Sequence, residues 1–302
     1  MCCLFGIIDY KQSLSSKQLN KMIAILSKAC EVRGTDATGI SYNTEEKICI
    51  YKRPFPAHKM RYKIPDGVHT VMGHTRMTTQ GNEKYNYNNH PFLGCAVNTD
   101  FALAHNGVLH NDIILREKEK LPETKIETDS YIAVQLIEQK RTLNTDSLKY
   151  MAESLLGSFT ITVMDRDNNL YFVKGDNPMC IYHFKHTGLY IYASTEDILK
   201  SALKKMPYFF GTYEKLNLFG GEILKIDKSG KTSKTDFDDR NLFDYCYPYH
   251  FGFTPKKPNK DSEYIKSLKY VAEGYGYKSQ YVDYLLEEGF TTDDIEEIIY
   301  CS

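Results

Sequence analysis

Cys2 stands directly behind the initiator methionine in "MCCLFGIIDY". Cysteine is small enough for the start methionine to be removed, which would leave a thiol and a free α-amine on one residue. An N-terminal α-amine has a reference pKa of about 7.7–8.0 and a cysteine thiol one of about 8.5. The two can therefore exchange a proton near neutrality without help from a histidine. A thiolate that attacks a carbonyl needs donors for the oxyanion. Asn106-Gly107 offers a side-chain amide and a backbone N–H, and glycine lets the chain come close to a substrate. An amino-acid substrate needs a guanidinium for its α-carboxylate and a carboxylate for its α-ammonium, and Arg76 and Asp129 have those charges. Each feature alone has a plainer reading. Asn-Gly is a standard hairpin turn, an aspartate before a helix is usually a cap, and a lone arginine is usually a surface cation. Together they describe acyl transfer from an amino-acid amide.

The elements that must position these residues can be read from periodicity. "LFGIIDY" is a short apolar run that suits a buried first strand. "SSKQLNKMIAILSKAC" places Leu19, Met22, Ile23 and Leu26 at helical spacing behind serines able to cap. "KICIYKR" and "VHTVMGHTR" read as strands. "TDSYIAVQLIEQK" puts Ile132, Ala133, Leu136 and Ile137 on one helical stripe, with Asp129 as its expected N-cap. Three hairpins follow, in "FTITVMDRDNNLYFVKG", "CIYHFKHTGLYIYAS" and "GEILKIDKSGKTSK". Helices set among largely antiparallel strands predict an α+β layered sandwich. Composition changes near residue 241, where "NLFDYCYPYHFGFTPKKPNKD" lacks a period and reads as a linker over residues 241–262. Residues 263–302 read as a small helical tail, with Thr291 and Asp294 as a capping box before its last helix.

Bulk properties exclude several classes. With 302 residues and a net charge of -1, the chain can bury a large core and presents no bulk field for nucleic acid or anionic membrane. No apolar run approaches the roughly 20 residues of a spanning helix. The first residues lack the basic start and long apolar stretch of an export signal. None of the eight cysteines forms a CxxC pair, so no metal site is expected, and reduced thiols in the cytoplasm are.

The order of the motifs resembles the class II glutamine amidotransferase (glutaminase) domain of the N-terminal-nucleophile hydrolase superfamily, like the glutaminase half of glucosamine-6-phosphate synthase. "MCCLFG", "RGTDATG" (33–39), "GHTRMTTQG" (73–81), His90-Pro91, "HNG" (105–107) and "TDS" (128–130) follow in that family's sequence. The resemblance covers roughly residues 2–230 and implies a four-layer αββα sandwich. It implies Cys2 as nucleophile, with Asn106 and Gly107 as the oxyanion hole. Arg76 would bind the substrate carboxylate, Thr79 would contact glutamine and Asp129 would bind the ammonium. Arg33, His74 and His90 would support them, and neither metal nor cofactor is called for.

Three positions depart from the family pattern. Cys3 replaces a glycine, Met77 a tryptophan and Gln80 a histidine, the last two on the loop expected to close over glutamine. The expected function is hydrolysis of glutamine to glutamate and ammonia by a domain spanning residues 2–240. No acceptor half is recognisable in the chain, so the ammonia would go to a separate synthetase or transferase. Two alternatives stand beside it: an amidohydrolase for another γ-glutamyl amide or peptide, and a catalytically inactive relic that binds a partner. The tail's Leu285, Leu286, Phe290, Ile295, Ile298 and Ile299 would either dock on the sandwich or bind the acceptor protein.

Overall fold

The computed structural model describes residues 2–208, 210–243, 263–274 and 277–287, together with Thr292, Ile295 and Ile299. The chain divides into two compact units, residues 1–246 and 247–302.

The first unit runs β1 (Cys3–Asp9), α1 (Ser16–Ala29), β2 (Ala37–Asn43), β3 (Ile48–Arg53), β4 (Thr70–Arg76), β5 (Phe92–Cys95), β6 (Asp100–Leu109), α2 (Asp112–Lys118), α3 (Tyr131–Gln139), α4 (Thr145–Ser154), β7 (Gly157–Asp165), β8 (Leu170–Lys174), β9 (Cys180–Phe184), β10 (Leu189–Ala193), α5 (Glu196–Lys205), β11 (Glu214–Leu216), β12 (Glu222–Ile226), β13 (Thr232–Asp236) and the short α6 (Arg240–Phe243). The strands form two antiparallel sheets. One has the order β11-β9-β10-β1-β4-β2-β3 and the other β13-β12-β8-β7-β6-β5.

Side-chain alternation along the strands builds the layers. Leu4 and Ile8 of β1, Met72 of β4, and Ala102 and Ala104 of β6 meet in an apolar core shared by the two sheets. Cys3, Phe5 and Ile7 point the other way and pack with Leu19, Met22, Ile23 and Leu26 of α1 and Leu199 of α5. Phe101 and Leu103 of β6 pack with α3 and α4. The result is helix, sheet, sheet, helix, as the resemblance implied. Helix α1 starts at a capping box, in which the Ser15 hydroxyl accepts from the Gln18 main-chain N–H and the Gln18 side-chain Oε1 accepts from the Ser15 N–H.

Two expectations need adjusting. Asp129 is not the cap of α3. Ser130 occupies that position without a side-chain cap bond, and Asp129 is engaged with β6 instead. The packing of the body also runs past residue 240, because Leu242 is buried in the core under α3 and α4. Most of residues 241–262 and the Thr291–Asp294 capping box lie outside the described residues. In the second unit, α7 (Glu263–Gly274) and α8 (Ser279–Glu287) bring Leu268, Ala272, Val282, Leu285, Ile295 and Ile299 into one buried cluster. Among the described residues no helix is long and apolar enough to cross a membrane.

Candidate active site

Strands β1 and β4 pair antiparallel with Cys3 opposite Thr75, so the start of β1 lies beside the end of β4. Alternation then places Cys2 and Leu4 on the face toward the second sheet, with His74 and Arg76 on the same face of β4. The Cys2 Sγ touches the Met77 N–H and carbonyl, both at 3.4 Å. Cys3 is fully buried on the opposite face beside Cys30, so neighbours in sequence end in different layers.

"RGTDATG" holds the start of β1 in place. Arg33 Nε donates to the Cys2 carbonyl at 2.8 Å. Gly34 lies against the end of β4, where a Cβ would come within 2.5 Å of the Arg76 carbonyl carbon. The Asp36 N–H donates to the Arg76 carbonyl at 3.0 Å, and its Oδ2 accepts from the Thr78 N–H at 2.7 Å. The turn after α1 thus clamps both Cys2 and the loop that leaves β4.

Arg76 is 3 % exposed. Its guanidinium donates to Asn89 Oδ1 at 2.7 Å, to the Gly81 carbonyl at 3.1 Å and to the Gln80 carbonyl. Three of its five N–H groups therefore fix the loop after β4. Among the described residues no carboxylate lies within 4.0 Å of it. Asp129, equally buried, accepts from the Leu109 N–H at 2.7 Å and from the Ser130 hydroxyl at 3.2 Å, and it too has no ion-pair partner among the described residues. A buried charge without a paired counter-charge is costly to hold. Here one cation and one anion are held close enough to Cys2 for both to act on its thiol. Burial pushes the Cys2 thiol above its ordinary range, the Met77 N–H and Arg76 pull it down, and Asp129 pushes it up.

Asn106 is buried on β6, and its Nδ2 lies 3.5 Å from Ser194 Oγ. Ser194 Oγ accepts the Leu4 N–H at 2.9 Å, so one hydroxyl ties β1 to Asn106. Gly107 follows at φ 145°, and a Cβ there would lie 1.9 Å from the Ser158 carbonyl oxygen. Only glycine fits this position.

The histidines lie behind these groups. His74 Nε2 donates to the His105 carbonyl at 2.9 Å and so ties β4 to β6 just before Asn106. Burial pushes His74 down to about 3, so the ring is neutral at physiological pH. His90 lies 4.2 Å from the His74 ring and 4.5 Å from Phe92, with both nitrogens buried and no hydrogen-bond partner for either. Burial, then His74 and Arg76, hold it well below the usual range. Thr79 is exposed on the loop after β4, and no hydrogen bond of its side chain is seen. Gln80 Nε2 reaches Asp112 Oδ2 at 3.4 Å. Among the described residues no group of three His, Cys, Asp or Glu side chains converges in a way that could hold a metal ion.

The structure adds residues that the sequence did not single out. Ser194 joins β1 to Asn106, and Asn89 orients Arg76. His105 Nδ1 meets Ser130 Oγ at 2.8 Å, which links it to Asp129. Polar residues of these types are common, and nothing local marks them. Only the alternation of β10, which would put Ser194 one residue past Ala193 at the site end, offered a signal.

No family model matches the chain. Among curated proteins it is 31% identical over 184 residues to glutamine–fructose-6-phosphate aminotransferase (isomerizing) from Bacillus subtilis, covering 58% of this chain and 30% of that one. It is 30% identical over 190 residues to the same enzyme from Sulfolobus acidocaldarius, covering 60% and 31%. The chain thus spans about a third of the length of the curated relatives it matches. Among solved structures, "the allosteric regulatory enzyme of purine biosynthesis" superposes with a TM-score of 0.63 at 20% identity, covering 78% of this chain and 49% of that one. Glutamine phosphoribosylpyrophosphate amidotransferase from B. subtilis, complexed with ADP and GMP, gives 0.62, 20%, 78% and 49%. The body of this chain is thus similar in sequence to part of these glutamine-dependent aminotransferases and shares the fold of both solved structures.

Proposed function

We propose that Cys2, freed of Met1, hydrolyses the γ-carboxamide of glutamine and that the ammonia passes to an acceptor site on a separate protein. The observation that carries this reading is the pair of buried charges, Arg76 and Asp129, each without an ion-pair partner among the described residues and both acting on Cys2. A free amino acid brings an α-carboxylate and an α-ammonium that neutralise both at once. The α-amine of Cys2 takes the thiol proton as Sγ attacks the γ-carbonyl carbon. The oxyanion is received by the Asn106 amide and the Gly107 N–H. The C–N bond breaks, the leaving nitrogen takes the proton back as ammonia, and a water then cleaves the thioester to glutamate. Turning the Asn106 amide over would set its carbonyl oxygen toward Ser194 Oγ. That orientation leaves the Asn106 NH₂ for the oxyanion.

The name of these relatives includes an amino transfer from glutamine to fructose 6-phosphate, which supports an acceptor for the ammonia. The test is ammonia release from glutamine, with the intact mass of the active protein read alongside. Cys2→Ala should abolish release and Cys3→Ala should retain most of it. Active protein that keeps Met1, or a reversed pattern in the two variants, would sink the assignment.

A further inference from the structure

Strands β4, β2 and β3 lie side by side, with His74 opposite Gly39 and Gly39 opposite Lys52. Directly opposed residues share a face, so His74 and Lys52 flank a gap at Gly39 on the face toward the second sheet. Residues 89–91 lie over that gap. A Cβ on Gly39 would come within 2.1 Å of the His90 carbonyl oxygen. On one side the His90 ring packs against His74. On the other the Lys52 ammonium donates to the Asn89 carbonyl at 2.5 Å and to the Pro91 carbonyl at 2.9 Å, and it lies 5.0 Å from the centre of the Phe92 ring. One ammonium thus fastens both ends of the segment to β3.

The same segment carries the residue that aims Arg76. Asn89 is fully buried. Its Oδ1 accepts from the Arg76 guanidinium at 2.7 Å, and its Nδ2 donates to the Glu83 carbonyl at 2.7 Å. A chain of contacts therefore runs from Lys52 through Asn89 to the guanidinium. Among the described residues Lys52, like Arg76, has no carboxylate within 4.0 Å. Two cations held near each other without a counter-charge are costly. Burial, then the charge of Arg76, pushes the Lys52 amine down to about 8. An apolar side chain could pack the same row without that cost. What the ammonium adds is donors for the Asn89 and Pro91 carbonyls and a second positive charge near the guanidinium.

Building on the Cys2 reading above, we propose that Lys52 is a positioning residue for the amino-acid head of the substrate: it holds Asn89 where Asn89 aims Arg76, and its charge strengthens the pull on the α-carboxylate. Its loss is felt where the carboxylate is recognised and not where the amide is cleaved.

The experiment compares glutamine with its α-carboxamide, which lacks the α-carboxylate, as substrates of the full chain and of Lys52→Met and Lys52→Arg. On glutamine Lys52→Met should raise KM by roughly 10- to 100-fold, the scale of one contact to a charged group, with kcat within about threefold. On the α-carboxamide both constants should change by less than about threefold. Lys52→Arg keeps a cation with several donors and should recover most of the loss. A pH series decides the matter if Lys52→Met does not fold. His74 and His90 on the flanking elements are held neutral, and Arg76 keeps its charge. The wild-type KM for glutamine should rise as the pH passes about 8 and the Lys52 ammonium discharges, and the Lys52→Arg KM should not follow it. The substrate and the Cys2 α-amine titrate alike in both proteins, so the difference belongs to Lys52. Equal losses on glutamine and its α-carboxamide, a fall in kcat with KM unchanged, or one pH dependence shared by wild type and Lys52→Arg overturns the role of Lys52 and leaves the Cys2 reading standing. Wild-type protein that cleaves neither substrate removes the Cys2 reading and this role with it.

Discussion

Asn106, Gly107 and Ser194 illustrate how closely the site depends on single atoms. The Ser194 hydroxyl is shared between the Leu4 N–H and the Asn106 amide. Asn106→Ala should lower kcat on glutamine by roughly 10²–10³, the usual cost of losing an oxyanion donor. Ser194→Ala removes the partner that orients the amide and should lower kcat less, roughly tenfold, with KM little changed. A rise in KM alone for either variant would place that residue with the substrate head and not with the oxyanion. Gly107→Ala tests something different. A Cβ at 1.9 Å from the Ser158 oxygen forces β6 and β7 apart, so a loss of about 3 kcal/mol or more in urea unfolding is expected. The misreading of Asp129 belongs to this scale as well. An aspartate just before a helix is a good cap by local rules, but its oxygen is taken by the Leu109 N–H, twenty residues away.

At the scale of elements, β4 and β6 are joined through their histidines. His74 donates to the His105 carbonyl, and the buried His90 ring packs against His74 at a tilt. Burial holds the pKa of all three below the ordinary imidazole range. The folded state therefore binds fewer protons than the unfolded one below about pH 6.5, and stability falls as the pH drops through that value. His90 satisfies neither of its nitrogens, so His90→Phe removes an unmet polar cost of about 1–3 kcal/mol and one of the three titrations. The variant should match or exceed wild-type stability at pH 7. Between pH 7 and 5 it should lose about 2 kcal/mol less than the wild type. Urea unfolding at the two pH values decides this, and an unchanged pH dependence would mean that His90 is already solvated or protonated in the folded protein.

For the whole molecule, the question is what the two compact units owe each other. The tail's Leu268, Ala272, Val282 and Leu285 are buried in a cluster of their own, which satisfies part of the apolar face that the sequence displays. Leu242 belongs to the body's core, so a fair truncation must keep it. A fragment ending at Cys246 should stay soluble and release ammonia from glutamine at close to the full-length rate. If the acceptor protein is recruited by the tail, pull-downs with the fragment should lose it. Aggregation or loss of activity in the fragment would instead make the tail part of the amidotransferase fold.

The sequence by itself determined the layers and the order of the motifs. Strand alternation, helical stripes and turn residues act over a few positions, and they carry that information wherever the chain is cut. It also named Cys2, Arg76, Asn106 and Asp129, because their types and their succession are unusual together. It did not reveal that Arg76 spends three N–H groups on its own loop, that Ser194 bridges β1 and Asn106, or that Cys2 and Cys3 face different layers with unlike fates. Tertiary structure decided these. Each depends on which strands pair and in what register, and a hydrogen bond between residues 4 and 194 has no trace in the neighbours of either. The close approach of Gly34 to the end of β4 is the same kind of fact, because only the fold brings the turn after α1 against Arg76.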